Sequence, residues 1–152
     1  MPDASFRRAT AADLPAIVAL LADDPLGAAR EAPGPPLHPG YRAAFDAIAA
    51  DPNQVLLVAE EGGAVVGTLQ VTIIPYLSRK GSRRGMVEAV RVAAARRGAG
   101  IGAAMMRRAV ALCRERGCGM VQLTTDASRT DAHRFYERLG FARSHHGYKL
   151  AL

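Results

Sequence analysis

The sequence contains no tryptophan, and only 5% of its 152 residues are aromatic. Proteins that bind single-stranded nucleic acid need aromatic side chains on which successive bases stack. No basic run of this chain is interleaved with such side chains. We therefore expect no nucleic-acid partner, although the formal net charge of +6 keeps a basic nucleic-acid-binding module as an alternative.

Cysteine and long apolar runs are also scarce. Cys113 and Cys118 have no second cysteine pair with which to form a zinc site, so we expect no bound metal and a reducing, cytoplasmic location. No apolar run approaches the roughly 20 residues that cross a bilayer, which argues against a membrane partner. The opening residues 1–4 lack the basic and apolar regions of a signal peptide.

The composition that is present fits a folded domain. Hydrophobic residues make up 49% of the chain and charged residues 22%, as in ordinary globular proteins. A chain of this length buries enough surface for one core without disulfides. Because no repeat or composition shift divides the sequence, residues 1–152 are expected to form one domain.

The order of apolar patterns predicts an α+β layer fold. Strand-like runs and helical spacings alternate along the chain, and glycine or proline separates them. The segment 24–40 holds five prolines and reads as a loop long enough to cover a site, together with 75–85. The expected strands are 6–9, 55–59, 64–74, 86–92 and 120–125, with a further strand or split pair in 141–152; the expected helices follow Thr10 and span 41–50, 101–116 and 130–139.

A glycine-rich turn carries the most specific chemical signal. Arg97, Gly98, Gly100 and Gly102 follow the strand that ends at Val92 and lead directly into the longest predicted helix. Glycines let a phosphate approach backbone N–H groups, and a helix start supplies unpaired donors with a partial positive charge. The segment therefore predicts a pyrophosphate site, although three glycines alone also suit a structural turn.

A dinucleotide-binding fingerprint is the rival interpretation. Gly98, Gly100 and Ala103 satisfy its relaxed form, and Asp126 ends the next strand where a ribose-binding acid would lie. That fold requires further strand–helix units, and too little chain follows Asp126 to supply them. A P-loop is excluded because the sequence has no Gly-Lys-Ser/Thr.

Two sequence blocks occur in an order that is typical of one known family. The first is Arg97, Gly100 and Gly102 in the glycine-rich turn, and the second is Phe-Tyr-Glu-Arg-Leu-Gly-Phe at residues 135–141. They resemble the acetyl-CoA segment, Arg/Gln-x-x-Gly-x-Gly/Ala, and the Phe-Tyr-x-x-x-Gly-Phe signature of the GNAT family of N-acetyltransferases. Both blocks in the correct order are more specific than either one, and residues 6–14 resemble the family's first strand and helix entry.

The resemblance implies the GNAT fold, a central mixed and mostly antiparallel sheet flanked by about four helices. The sheet would part to admit acetyl-CoA, with backbone N–H groups near residues 90–92 holding the thioester carbonyl and residues 97–102 holding the pyrophosphate. The implied acetyl-CoA-binding residues are Val90, Arg91, Val92, Arg97, Gly98, Ala99, Gly100, Ile101, Gly102, Ala103 and Tyr136.

The resemblance also implies two catalytic residues. Tyr136 matches the tyrosine that protonates the CoA sulfur, and an ordinary phenol pKa of about 10 keeps such a donor protonated at neutral pH. Glu88 lies where some relatives carry a carboxylate that deprotonates the amine, directly or through water. Each has an ordinary alternative, since Tyr136 also suits aromatic packing and Glu88 a plain strand position. This sequence departs from the family at Arg129, a position where asparagine is common.

The implied function is transfer of an acetyl group from acetyl-CoA to a primary amine, by direct attack, in a homodimer. A small-molecule amine is favoured, with a protein N-terminus or lysine and a catalytically silent CoA sensor as alternatives. Residues 124–136 and 144–146 are similar to the aminoalkylphosphonate acetyltransferases within the family. An anionic amine would suit the basic loop that contains Arg79, Lys80, Arg83 and Arg84.

Overall fold

A computed structural model describes residues 3–152, in which one five-stranded sheet lies between helices. Residues 1 and 2, on which the expectation about a signal peptide partly rests, lie outside the described residues. The strands are β1 (Ser5–Arg8), β2 (Gln54–Glu61), β3 (Ala64–Pro75), β4 (Arg83–Val92) and β5 (Cys118–Leu123), and the helices are α1 (Leu14–Ala22), α2 (Pro25–Arg30), α3 (Pro39–Ala50), α4 (Ser78–Gly81), α5 (Ile101–Glu115) and α6 (Thr130–Arg138).

The sheet follows the chain order β1-β2-β3-β4-β5. The first four strands pair antiparallel, and only β4 and β5 are parallel, joined through α5. Four helices have nine or more residues, whereas α2 has six and α4 is a single turn of four. The predicted mixed, mostly antiparallel sheet with about four flanking helices is confirmed.

Helix α5 covers one face of the sheet. Its buried side chains recur at intervals of four residues, which forms an apolar stripe toward the strands. Gly67 lets the helix approach closely, because a Cβ there would lie 2.6 Å from the Met105 sulfur, and Gly85 does the same beside Cys113. The buried stripe of α5 consists of Ile101, Met105, Met106, Ala109 and Cys113.

Helix α1 covers part of the opposite face, where it buries Leu14, Ile17, Val18 and Leu20. The turn that leads into this helix is fixed by Arg7 on β1. The Arg7 guanidinium donates to both carboxylate oxygens of Asp13 at 2.8 and 2.9 Å. This pairing lowers the pKa of the buried Asp13 to about 2, so the carboxylate stays charged well below neutral pH.

An irregularity in β4 changes which side chains face α5. Gln70 pairs with Glu88 and Thr68 pairs with Arg91, so one residue of β3 opposes two of β4. Ala89 absorbs the extra length with φ = +54°. Val87 and Val90 therefore both pack toward the α5 core, and Glu88 and Arg91 both face the other side.

Four sequence predictions were wrong in detail. The expected loop 75–85 contains α4 and the first residues of β4, which begins at Arg83. The alternating pattern predicted that Ala89 and Arg91 lie on the same face of the strand as Val87. This prediction fails beyond the irregularity, because the extra residue reverses which side chains face each side of the sheet. The expected loop 24–40 contains α2, which Asp24 caps. No strand forms in 141–152 of the described chain, where residues 142–152 are all exposed.

None of the helices within residues 3–152 combines the length and apolar character needed to cross a lipid bilayer.

Candidate active site

The sheet parts between β4 and β5. Their pairing runs from Arg83 opposite Cys118 to Val87 opposite Leu123, and the register stops there. The second half of β4, residues 88–92, continues without β5 beside it, although it stays paired with β3. An unpaired strand edge presents backbone N–H and C=O groups. The predicted thioester-binding residues, Val90, Arg91 and Val92, lie along this free edge.

The glycine turn and the start of α5 lie just beyond this edge. Gly98 and Gly100 have φ values of +81° and +86°, which side-chain-bearing residues rarely adopt. In the first backbone hydrogen bond of α5, the Ala104 N–H donates to the Gly100 carbonyl at 3.1 Å. The N–H groups of residues 101–103 therefore have no intrahelical acceptor.

The space around the turn fits a phosphate-bearing ligand. A Cβ added at Gly98 or Gly100 would meet no heavy atom within 4 Å, so the turn faces open space. Gly102 is different, since its Cβ position lies 3.4 Å from the Phe135 ring and 3.5 Å from Val92. The predicted pyrophosphate residues thus form an open turn whose rear surface rests on α6 and β4.

Tyr136 lies on α6 in an aromatic cluster. Its ring meets those of Phe135 and Phe141 edge-on, with centroid separations of 5.1 and 6.0 Å. Burial raises the pKa of the Tyr136 hydroxyl above its usual value, and the positive charges of Arg91 and Arg129 partly offset that rise. The hydroxyl therefore stays protonated at neutral pH, so aromatic packing and proton donation are compatible in this residue.

Glu88 lies on an open, polar part of the sheet. It is exposed, and it sits opposite Gln70 at the irregularity in β4. Gln70 Nε2 and Thr72 Oγ1 both donate to Gln54 Oε1 at 2.9 Å, which extends the polar surface across three strands. The structure thus places the Glu88 carboxylate where solvent or a substrate can reach it.

Comparison with known proteins decides the family. The model of the Acetyltransferase (GNAT) family matches residues 15–141. This chain belongs to the GNAT family. It is an N-acetyltransferase, and its central sheet is the GNAT fold.

Two relatives of this GNAT chain are named as N-acetyltransferases, and a third protein shares its fold. The aminoalkylphosphonate N-acetyltransferase of Salmonella typhimurium is 29% identical over 155 aligned positions, which cover 100% of this chain and 94% of the relative. Glucosamine 6-phosphate N-acetyltransferase 1 of Oryza sativa subsp. japonica is 38% identical over 115 positions, 72% of this chain and 67% of the relative. A transcriptional regulator from Bacillus halodurans C-125, known from a crystal structure, is 48% identical in sequence to this chain. The two structures superpose with a TM-score of 0.96 over 98% of this chain and 99% of the other.

Arg97 of this GNAT domain points away from the glycine turn. Its Nε donates to the Val92 carbonyl at 3.2 Å, and its Nη2 donates to the Asp23 carbonyl at 3.3 Å. It thereby joins the end of α1 to the end of β4. A contact with a pyrophosphate, which remains a prediction, would require the side chain to leave these acceptors.

Sequence reasoning missed a charged cluster formed by Asp24, Arg91 and Arg129. Asp24 Oδ2 lies 2.7 Å from Arg129 Nη2 and 3.5 Å from Arg91 Nε. Its other oxygen, Oδ1, accepts the Gly27 N–H at 2.5 Å and caps α2. The only signal in the sequence was the departure at Arg129 from the asparagine often found in GNAT proteins.

The basic loop that we expected to bind an anion is dispersed. Arg79 and Lys80 are exposed. Arg83 donates to the Arg116 carbonyl at 3.2 Å. Arg84 stacks on the Tyr76 ring, 3.9 Å from its centroid, and donates to Gln122. The four side chains therefore do not converge on one point.

Proposed function

We propose that this GNAT enzyme transfers the acetyl group of acetyl-CoA to the primary amine of a small molecule by direct attack. The observation that carries the proposal is the parted sheet, in which the free edge of β4 leads to the glycine turn at the start of α5. In this proposal residues 1–152 act as one catalytic domain in the cytoplasm, where Cys113 and Cys118 remain free thiols.

Binding of acetyl-CoA is assigned to backbone groups. The N–H groups of residues 101–103 and the turn at Gly98 and Gly100 would hold the pyrophosphate, because helix starts favour anions. The free edge at residues 90–92 would hold the thioester end. The cosubstrate supplies an activated acetyl group, and Arg91, Ile101, Gly102 and Ala103 contribute mainly through their position on these two backbone segments.

Two side chains would manage the protons of the transfer. Glu88 accepts a proton from the substrate ammonium, directly or through water, which frees the nitrogen lone pair for attack. The new C–N bond forms as the C–S bond breaks, and the Tyr136 hydroxyl gives its proton to the departing thiolate. The nitrogen, which still holds one proton more than an amide, returns that proton to the Tyr136 phenolate, directly or through water. The products are an amide and the free thiol, with proton transfer contributing about 10²–10⁴-fold to the rate.

The small-molecule acceptor is supported by the relatives. The proteins that share 29% and 38% identity are named for acetylating an aminoalkylphosphonate and glucosamine 6-phosphate, both small amines. The likeness of residues 124–136 and 144–146 to aminoalkylphosphonate acetyltransferases agrees with this choice.

Thermal unfolding tests the proposal directly. A ligand that binds only the folded state stabilises it by RT ln(1 + [L]/Kd), about 2.7 kcal/mol at one hundred times Kd. For a domain of this size we expect acetyl-CoA to raise Tm by roughly 5–10 °C. NAD, ATP and a short DNA duplex serve as comparison ligands. Stabilisation by the duplex, with none by saturating acetyl-CoA, would favour the nucleic-acid alternative and overturn the proposal.

We also propose that the enzyme is a homodimer. The tail after α6 carries three large apolar side chains with almost no cover: Tyr148 is 92% exposed, Leu150 86%, and Leu152 fully exposed. Apolar groups clustered on a surface favour association. Light scattering is expected to give about twice the chain mass of 16.1 kDa. A monomeric mass at micromolar concentration would contradict the dimer.

A further inference from the structure

The cluster around Asp24 contains more positive than negative charge. Arg91 and Arg129 both approach Asp24 Oδ2, and within residues 3–152 neither has an ion pair with another carboxylate. Arg30 adds a further positive charge that acts on Arg91, although Glu31 lies 3.7 Å from its Nε. The charge of Arg129 also acts on the exposed Asp126 carboxylate, which forms no ion pair with it among the described residues. The three ion-paired groups, Asp24, Arg91 and Arg129, together carry a net charge of about +1 that can attract an anion.

Both arginines are partly withdrawn from solvent, and one donor of Arg91 lacks a hydrogen-bond acceptor. The side chain of Arg91 is 13% exposed and that of Arg129 is 28% exposed. The Arg91 Nε is buried without a hydrogen-bond partner in the described chain, with Asp24 Oδ2 3.5 Å away, whereas Nη1 of the same guanidinium donates to the Val90 carbonyl at 2.9 Å. A buried donor without an acceptor is costly, so an oxyanion that accepted from it would bind favourably.

Rigid backbone segments hold the cluster in place. Asp24 caps α2, and Gly27 is packed so closely against the end of α1 that a Cβ there would overlap the Leu21 carbonyl oxygen. Arg91 projects from β4 directly after the irregularity, and Arg129 immediately precedes α6. Little reorganisation is therefore needed before an anion binds.

The position of the cluster connects it with the proposed chemistry. Glu88 and Arg91 are three positions apart, which would place them on opposite faces of a regular strand. The extra residue at the irregularity in β4 brings both side chains to the same side of the sheet. The charges of Arg91 and Arg129 are both felt at the Tyr136 hydroxyl. A small molecule bound at the arginines would thus lie on the same face of the sheet as the proposed base and within electrostatic reach of the proposed acid.

We propose that Arg91 and Arg129 bind a phosphonate or phosphate group carried by the acceptor amine. This inference rests on the proposed acetyl transfer and adds the residues that select the acceptor. Guanidinium groups suit tetrahedral oxyanions because their parallel N–H donors match two oxygens at once. The anion anchors one end of the substrate, and its amine is presented toward Glu88.

Substrate pairs that differ in the anion provide the test. Wild-type enzyme should acetylate 2-aminoethylphosphonate and O-phosphoethanolamine with a higher kcat/KM than ethanolamine, which lacks the anion. In R129Q and R91Q, the ratio of kcat/KM for 2-aminoethylphosphonate to that for ethanolamine should fall at least about 30-fold, since an ionic contact is lost. R129K should retain more of the ratio than R129Q, because lysine keeps the positive charge but lacks the paired N–H donors of a guanidinium.

The matched control is R134Q, which removes an arginine from α6 whose side chain is 70% exposed. It should leave the ratio unchanged. Methylphosphonate should inhibit wild-type enzyme competitively against 2-aminoethylphosphonate, a measurement that needs no variant to fold. An unchanged ratio in R129Q and R91Q, or no inhibition by methylphosphonate, would overturn the assignment.

The proposed function and this inference fail in different ways. The shift in Tm caused by acetyl-CoA tests the proposed function without any acceptor amine present. Stabilisation by acetyl-CoA together with equal kcat/KM for 2-aminoethylphosphonate and ethanolamine would preserve the acetyltransferase and overturn the anion site.

Discussion

Replacement of Tyr136 by phenylalanine will lower kcat by about 10²–10⁴-fold, which is the usual contribution of a positioned general acid. The substitution removes only the hydroxyl. The ring keeps its edge-on contacts with Phe135 and Phe141, so the fold and the Tm should be nearly unchanged. Steady-state kinetics with a saturating amine, combined with a thermal-shift titration of acetyl-CoA, measure the two properties separately.

Tyr148→Phe is the matched control, because that tyrosine is 92% exposed in the tail, and its kcat should equal that of wild type.

The pH profile adds a second readout. A general acid works while protonated, below its pKa, and burial holds the pKa of Tyr136 above its usual value of about 10. The wild-type rate should therefore show no loss from this group between neutral pH and about 10. An unaltered kcat in Tyr136→Phe would leave the residue with a packing role only and favour a catalytically silent CoA-binding protein.

Local patterns in the sequence were sufficient to predict the turn and helix of the proposed acetyl-CoA site. Gly98 and Gly100 need positive φ, and the stripe that begins at Ile101 has helical spacing, so both features are visible within a short segment. Strand boundaries were also close, because apolar β-branched runs and turn residues are local signals. The order of the two motifs then indicated the family.

Features that depend on neighbouring strands were harder to predict. An extra residue in β4 reverses the side-chain phase after Ala89, and a count of alternating residues cannot detect it without the register against β3. The capped helix α2 was different, since Asp24 followed by Pro25 is a recognisable start that the surrounding prolines obscured. The tail has strand-like composition, but a strand needs a partner edge.

The proposed anion site combines residues that are distant in the chain. Asp24 follows α1, Arg91 ends a strand, and Arg129 precedes α6, so no spacing rule links them. Among many arginines, the sequence favoured the contiguous group at 79–84. The fold disperses that group and brings Arg91 and Arg129 together, which shows why charge density along a sequence is a poor guide to charge density in space.

A negative charge placed at the glycine turn should abolish acetyl-CoA binding without harming the fold. Ala99 is exposed between Gly98 and Gly100, immediately before α5. A glutamate there would lie beside a bound pyrophosphate, and unit charges 4–8 Å apart repel by about 2–4 kcal/mol at an effective dielectric of about 20. We expect Ala99→Glu to raise the Kd for acetyl-CoA at least about 30-fold, measured by calorimetry at low salt.

The stability of this variant distinguishes repulsion from misfolding. Acidic side chains near a helix start are stabilising by about 0.3–1 kcal/mol, so the Tm of Ala99→Glu without ligand should equal or exceed that of wild type. Ala99→Gln has nearly the same shape without the charge and should bind acetyl-CoA almost normally. Gly100→Val is less informative, because φ = +86° strains valine whether or not a phosphate binds there. Normal acetyl-CoA affinity in Ala99→Glu would move the pyrophosphate away from this turn and remove the main support for the proposed mode of binding.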